Sequence, residues 1–141
     1  MLVAAFLSAC AGFGGWLRRS GRPVPERVAP ADLALVAVAT HKASRLLAKD
    51  RVTSVVRAPF TRYQGDGGPG EVEEEPRGEG LRLAIGELLT CPYCVGMWIS
   101  AAATAGLIVA PRFTRWTSAS LAALTVSDFL QIAYKKSEDS L

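Results

Sequence analysis

Residues 93–110 form one long uncharged stretch, YCVGMWISAAATAGLIVA. A helix of this length comes close to crossing the ~30 Å hydrocarbon layer of a bilayer. Half of the 141 residues are apolar, and residues 1–17, 31–48 and 116–134 are three further predominantly apolar stretches. We therefore predict an all-α fold: a small transmembrane helical bundle of about four spans, in a single membrane domain that covers residues 1–141.

The segments between these predicted spans are polar. Residues 52–63 are short and basic, and Pro59 interrupts them, which predicts an interfacial segment on the cytoplasmic side. Residues 64–80 contain six glycines and six acidic residues. A stretch with so few apolar side chains cannot bury enough surface to fold by itself, so we expect a disordered acidic loop there.

The distribution of Lys and Arg predicts the orientation. With four spans, both termini lie on one side, and placing them in the cytoplasm puts ten basic residues on that side against six on the other. A block of basic residues, here called the basic collar, then faces the cytoplasm: Lys42, Arg45, Lys49, Arg51, Arg57 and Arg62. Because the collar adjoins apolar segments, we expect anionic lipid headgroups as its partner and no nucleic acid.

The predicted topology brings several polar side chains into one leaflet. They are His41 and Arg45 from the second span with Asp128 and Gln131 from the fourth. An ionisable residue inside a span needs a partner, and we expect Arg45 to pair with Asp128, with Lys42 or His41 next in order. Two interpretations are open: an ion pair that only locks helix packing, or a relay that conducts protons or ions.

Cys91 and Cys94 form a Cys-Pro-Tyr-Cys motif, where Pro92 suits the first turn of a helix. The spacing fits a redox pair or half of a zinc site. Zinc would need two more ligands, and His41 is the only histidine, so a carboxylate or a second chain would have to supply them. The remaining interpretation is two packed thiols. No other cofactor is predicted.

Three blocks of the sequence carry a family resemblance: THKASRLLAKD at residues 40–50, RAPFTRY at residues 57–63 and GELLTCPYCVGMW at residues 86–98. With SDFLQIAY at residues 127–134, they resemble a bacterial family known as domain-of-unknown-function family 1360. The resemblance runs from about residue 28 to residue 134, and the Cys-Pro-x-Cys block is its most specific part. It implies small multi-span proteins of the bacterial cytoplasmic membrane and no assigned activity, cofactor or partner.

These observations lead to one main functional hypothesis and two alternatives. No nucleophile, base and orienting group stand in a recognisable pattern, so we expect a non-enzymatic structural or interaction protein that contacts lipid or protein through the basic collar. Small residues four apart in residues 93–110 would also allow a homo-oligomer through Gly/Ala-rich helix faces. The alternatives are a membrane thiol redox protein or sensor that uses Cys91 and Cys94, and a small conducting protein that uses Asp128.

Overall fold

The computed structural model describes residues 1–140, which fold as helices with one small sheet. In chain order the elements are α1 (Leu2–Ser20), α2 (Pro30–Ala48), α3 (Ser54–Arg57), β1 (Thr61–Asp66), β2 (Val72–Pro76), α4 (Gly80–Thr90), α5 (Pro92–Val109) and α6 (Pro111–Glu138).

Proline and glycine set most of the helix ends. Pro30, Pro92 and Pro111 each occupy the first turn of a helix, where the missing N–H costs no hydrogen bond. Gly21 ends α1 in the left-handed conformation, with φ 62°. The predicted apolar segments therefore coincide with α1, α2, α5 and α6, although α6 is longer than expected, at 28 residues.

The prediction of a four-span bundle is wrong. Within residues 1–140, α5 is the one helix long and apolar enough to cross a membrane, with a mean hydropathy of 1.5. Charged and polar side chains lower the hydropathy of the others: Arg18 and Arg19 occupy the last turn of α1, and Asp32, Lys42 and Arg45 lie within α2. Helix α6 carries basic residues near both ends as well as Asp128. Multiple passes through a membrane do not follow from this architecture.

Helix α2 lies at the centre and packs against both α5 and α6. Small residues allow the α2–α5 contact: a Cβ built on Gly96 would lie 3.6 Å from the Ser44 Cβ. At the other end of α2, Asp32 accepts two hydrogen bonds from the Arg115 guanidinium, at 2.8 and 2.7 Å. Gly96 of α5 thus packs within the chain, and a homo-oligomer through Gly/Ala-rich helix faces stays a prediction.

The predicted disordered loop at residues 64–80 is wrong too, because most of it forms a β-hairpin. Strands β1 and β2 pair antiparallel from Thr61 opposite Pro76 to Asp66 opposite Val72, with a bulge between Tyr63 and Gly65. The end of α2 anchors the hairpin, since the Val72 N–H donates to the Lys49 carbonyl at 2.9 Å. Val72 is buried there. The predicted interfacial segment at residues 52–63 is instead α3 and the start of β1.

The acids of the hairpin neutralise most of the basic collar. The ion pairs are Arg45–Glu71, Lys49–Glu73, Arg51–Asp66 and Arg57–Glu74. The composition of the hairpin alone predicts disorder. The hairpin folds because ion pairs with basic residues of the preceding segment stabilise it. The end of α2, α3, the hairpin and α4 together are called the cap below.

Arg57 lies at the centre of the cap with a fully buried side chain. Its Nε donates to Glu74 Oε2 at 2.7 Å, and Nη1 and Nη2 donate to the carbonyls of Leu47 and Asp50 at 2.8 and 3.0 Å. Nη1 also donates to the Thr53 hydroxyl at 2.7 Å. Glu74 is nearly as buried and accepts a further bond from the Thr61 hydroxyl at 2.9 Å. One side chain thus joins α2, α3 and the hairpin.

We predict that Arg57→Ala opens the hairpin, because it leaves the Glu74 carboxylate buried without its cation. Breaking a buried pair typically costs about 3–5 kcal/mol. Arg51→Ala is the matched control, because its pair with Asp66 is exposed on both sides and should contribute little to stability. Hydrogen exchange of the amides of β1 and β2 measures both. Equal loss of protection in the two variants would contradict a special role for Arg57.

We also predict that Gly86→Ala destabilises the contact of α4 with the hairpin. A Cβ at Gly86 would lie 2.6 Å from the Phe60 carbonyl oxygen, so the helix and the hairpin would have to separate, at a cost of about 1–3 kcal/mol. Gly14→Ala in α1 is the control, because its Cβ would meet open space and Ala favours a helix by about 0.5–1 kcal/mol. Urea unfolding in detergent compares them, and a stabilised Gly86→Ala variant would refute the close approach.

Candidate functional site

A cleft of about 690 Å³ lies between the C-terminal halves of α2 and α6 and the turn of the hairpin. All four residues of the predicted polar cluster line it: His41, Arg45, Asp128 and Gln131. Leu46, Phe129 and Ile132 give it apolar walls, while Lys42 and Glu71 add charge. The cleft thus combines both signs of charge with apolar surface.

Asp128 pairs with Lys42 and not with Arg45. The Lys42 Nζ lies 2.7 Å from Asp128 Oδ2, and the side chains are 14% and 46% exposed. Arg45 binds Glu71 of the hairpin instead. The expected pair of Arg45 with Asp128 is therefore wrong, and Lys42, the next candidate, is the observed partner. The sequence interpretation did not include the hairpin whose Glu71 binds Arg45.

His41 and Gln131 are both exposed residues that line the cleft. The Gln131 amide donates to the Ser127 hydroxyl at 3.5 Å, one turn back along α6, and it does not reach Asp128. Asp128 is thus held by an ammonium group and remains open to solvent on one side. Conduction of ions or protons through Asp128 stays a prediction.

Cys91 and Cys94 meet at the junction of α4 and α5. Cys91 is the single residue between the two helices and the N-cap of α5, and its sulfur accepts a hydrogen bond from the Cys94 N–H at 3.3 Å. Cys91 is half-buried, Cys94 is exposed, and both are free thiols. Among residues 1–140, no group of three or more His, Cys, Asp and Glu side chains could hold a metal ion. Zinc binding through Cys91 and Cys94 stays a prediction.

Hydrogen bonds and a nearby cation perturb Cys91. The hydrogen bond from the Cys94 thiol is the main cause that lowers the pKa of the Cys91 thiol. The N–H groups of the first helical turn and the Lys49 ammonium lower this pKa further, while partial burial opposes them. The structure therefore lowers the pKa of the Cys91 thiol below its ordinary value.

Sequence reasoning missed the residues that build the cap, above all Arg57, Glu74 and Glu71. A signal was present: six basic residues in 42–62 precede six acids in 64–80. Complementary blocks so close together indicate pairing with each other as readily as pairing with lipid. The prediction from the sequence assigns the basic residues to lipid headgroups and the acids to a loop, and it therefore misses this pairing.

Fold and site together define a small, mainly helical protein with one membrane-length apolar helix and a charge-paired cap. The chain belongs to the family described as "Protein of unknown function (DUF1360)", whose sequence profile matches residues 35–134. This confirms the resemblance found in the sequence. The matched region contains the hairpin, both cysteines of the junction and every residue that lines the cleft except Lys135.

One relative is the protein called "Sporulation protein YjcA" of Bacillus subtilis (strain 168). It is 26% identical to this chain over 107 residues, which are 74% of this chain and 91% of that protein. No solved structure matches the chain.

We predict that a double-mutant cycle detects coupling between Lys42 and Asp128 and none between Arg45 and Asp128. Residues in contact couple by about 0.5–3 kcal/mol, and independent pairs add within about 0.3–0.5 kcal/mol. The variants are Lys42→Met, Arg45→Met and Asp128→Asn, singly and in the two pairs, with urea unfolding in detergent as the measurement. If Arg45 coupled to Asp128 as strongly as Lys42 does, Arg45 and not Lys42 alone would be a partner of Asp128, which would contradict the structure.

Proposed function

We propose that the protein is a membrane-associated interaction protein that inserts α5 into a bilayer and presents the cap at its surface. The observation that carries the proposal is α5: it has 18 residues, no charge and a mean hydropathy of 1.5, yet little of it is buried in the chain.

Core helices of soluble proteins and signal sequences can be as long and as apolar as α5, but α5 resembles neither. The core helix of a soluble protein is mostly buried, whereas Val95 is the one buried residue of α5. A signal sequence lies near the N-terminus, whereas α5 begins at Pro92. An apolar surface that its own chain leaves uncovered typically contacts a membrane or another protein.

Cations at both ends of α5 support its insertion. At the C-terminal end, the Arg22 Nη1 donates to the Val109 carbonyl at 3.3 Å, and Arg112 and Arg115 follow in the next helix. At the N-terminal end, the positive charge of the Lys49 ammonium is close enough to Cys91 to lower the pKa of its thiol. Basic side chains at both ends of an apolar helix are suited to the two headgroup layers.

The cap supports a role in interaction more than in catalysis. Its polar side chains are tied up in ion pairs that hold the hairpin, and the ring of His41 forms no hydrogen bond to any residue within 1–140. Lipid contact by the basic collar is accordingly proposed for Arg62, the one collar residue without a carboxylate partner in the described chain. Lys135 and Lys136, near the end of α6, are proposed to contact lipid with it.

We predict that Ala102→Lys weakens binding to lipid vesicles in a flotation assay. Ala102 is exposed near the middle of α5, so a lysine there does not disturb packing within the chain. A lysine at the centre of a spanning helix costs about 2.5–3.5 kcal/mol. Val52→Lys is the control, because Val52 is 81% exposed in the cap.

The expected result is loss of flotation for Ala102→Lys and retention for Val52→Lys. Vesicles with and without phosphatidylglycerol, followed by a high-salt wash, separate insertion from charge attraction. Equal flotation of both variants, or release of the wild type by salt alone, would contradict insertion of α5.

A further inference from the structure

The α4–α5 junction places two cysteines at the start of α5, in positions where helix packing does not require a thiol. Cys91 is the N-cap of α5 and Cys94 is the third residue of that helix, the two positions that face each other in a capping box. Here sulfur replaces the usual oxygen: the Cys91 Sγ accepts a hydrogen bond from the Cys94 N–H at 3.3 Å. A serine at position 91 would cap the helix better than a cysteine.

We infer that Cys91 and Cys94 form a thiol–disulfide exchange site, with Cys91 as the attacking thiolate, Cys94 as the resolving thiol and small organic disulfides as substrates. This activity is additional to the proposed membrane role and does not depend on it. The geometry assigns the two parts, because Cys91 holds the capping position and Cys94 is the exposed neighbour one turn along.

The exchange balances without any further reactant. The Cys91 thiolate attacks one sulfur of the substrate disulfide, the S–S bond breaks, and one thiolate leaves while a mixed disulfide forms on Cys91. Cys94 loses its proton to water and attacks the Cys91 sulfur, which releases the second thiolate. The substrate is thereby reduced to two thiols, and the Cys91–Cys94 pair is oxidised to a disulfide.

Charge and access support this assignment. The N-terminus of α5 and the Lys49 ammonium, which also binds Glu73 at 3.0 Å, stabilise negative charge on the Cys91 sulfur. Tyr93, between the two cysteines, is 91% exposed, so the junction is open to a small substrate. Cys10, an exposed thiol in α1, provides an internal reference.

The first test counts thiols released from dithiobis(nitrobenzoate) by the full-length protein in detergent, with Cys10→Ser as the background. At one equivalent of reagent, the Cys91–Cys94 pair should release two nitrothiolates per disulfide consumed and retain no adduct. Adding Cys94→Ser should halve the release and leave the reagent attached to Cys91, as mass spectrometry would show. Release of one nitrothiolate per disulfide, with adducts on both cysteines, would overturn the proposal.

The second test compares Cys10→Ser, which keeps the Cys91–Cys94 pair, with Cys91→Ser/Cys94→Ser, which keeps only Cys10, at neutral pH. Each unit by which a thiol pKa falls gives about a threefold net gain in exchange rate below that pKa. Because Cys94, the first turn of α5 and Lys49 all lower the pKa of the Cys91 thiol, the pair should release its first nitrothiolate faster than Cys10 does. Serine preserves the N-cap, so Cys91→Ser should fold and float as the wild type does. Equal rates for Cys91 and Cys10 in folded variants would overturn the assignment of the nucleophile.

Discussion

The buried pair of Arg57 and Glu74 is the constraint on which the cap depends. A guanidinium with no exposure to water is tolerated only where protein groups replace its hydration, and here a carboxylate, two carbonyls and a hydroxyl do so. These acceptors come from the end of α2, the start of α3 and strand β2. Because the pair needs all three segments in place, the cap forms as a unit or not at all.

The same constraint explains how a strongly acidic segment acquires a fixed structure. Strand β2 contains three consecutive glutamates, Glu73, Glu74 and Glu75, which would repel one another in isolation. Glu73 and Glu74 each meet a cation from the preceding segment, and Glu75 accepts a hydrogen bond from Gln64 across the hairpin at 2.9 Å. The acidic residues of β2 therefore stabilise the hairpin, although the composition of this segment alone predicts disorder.

The helical part of the fold could be predicted from the sequence, because proline, glycine and apolar runs mark helix ends locally. Pro30, Pro92 and Pro111 did so at three helices. The number of spans could not be predicted from the apolar runs, since whole helices include flanking charges such as Arg18, Arg19 and Asp32. The four side chains expected in one cluster line one cleft. Their pairing could not be predicted, because Glu71 reaches Arg45 only through a hairpin that long-range charge pairing creates.

Cys91 joins α4 to α5 as a single residue, and this brevity has a mechanical consequence. A one-residue link with its own backbone hydrogen bonds, such as the Val95 N–H to the Cys91 carbonyl at 3.1 Å, leaves little room for independent motion. Helix α4 in turn packs directly on β2, at the position where Gly86 has no side chain. A shift of α5 along its axis would therefore carry the hairpin with it. Under the proposed insertion of α5, the depth of this helix in the bilayer would set the height of the cap above the surface.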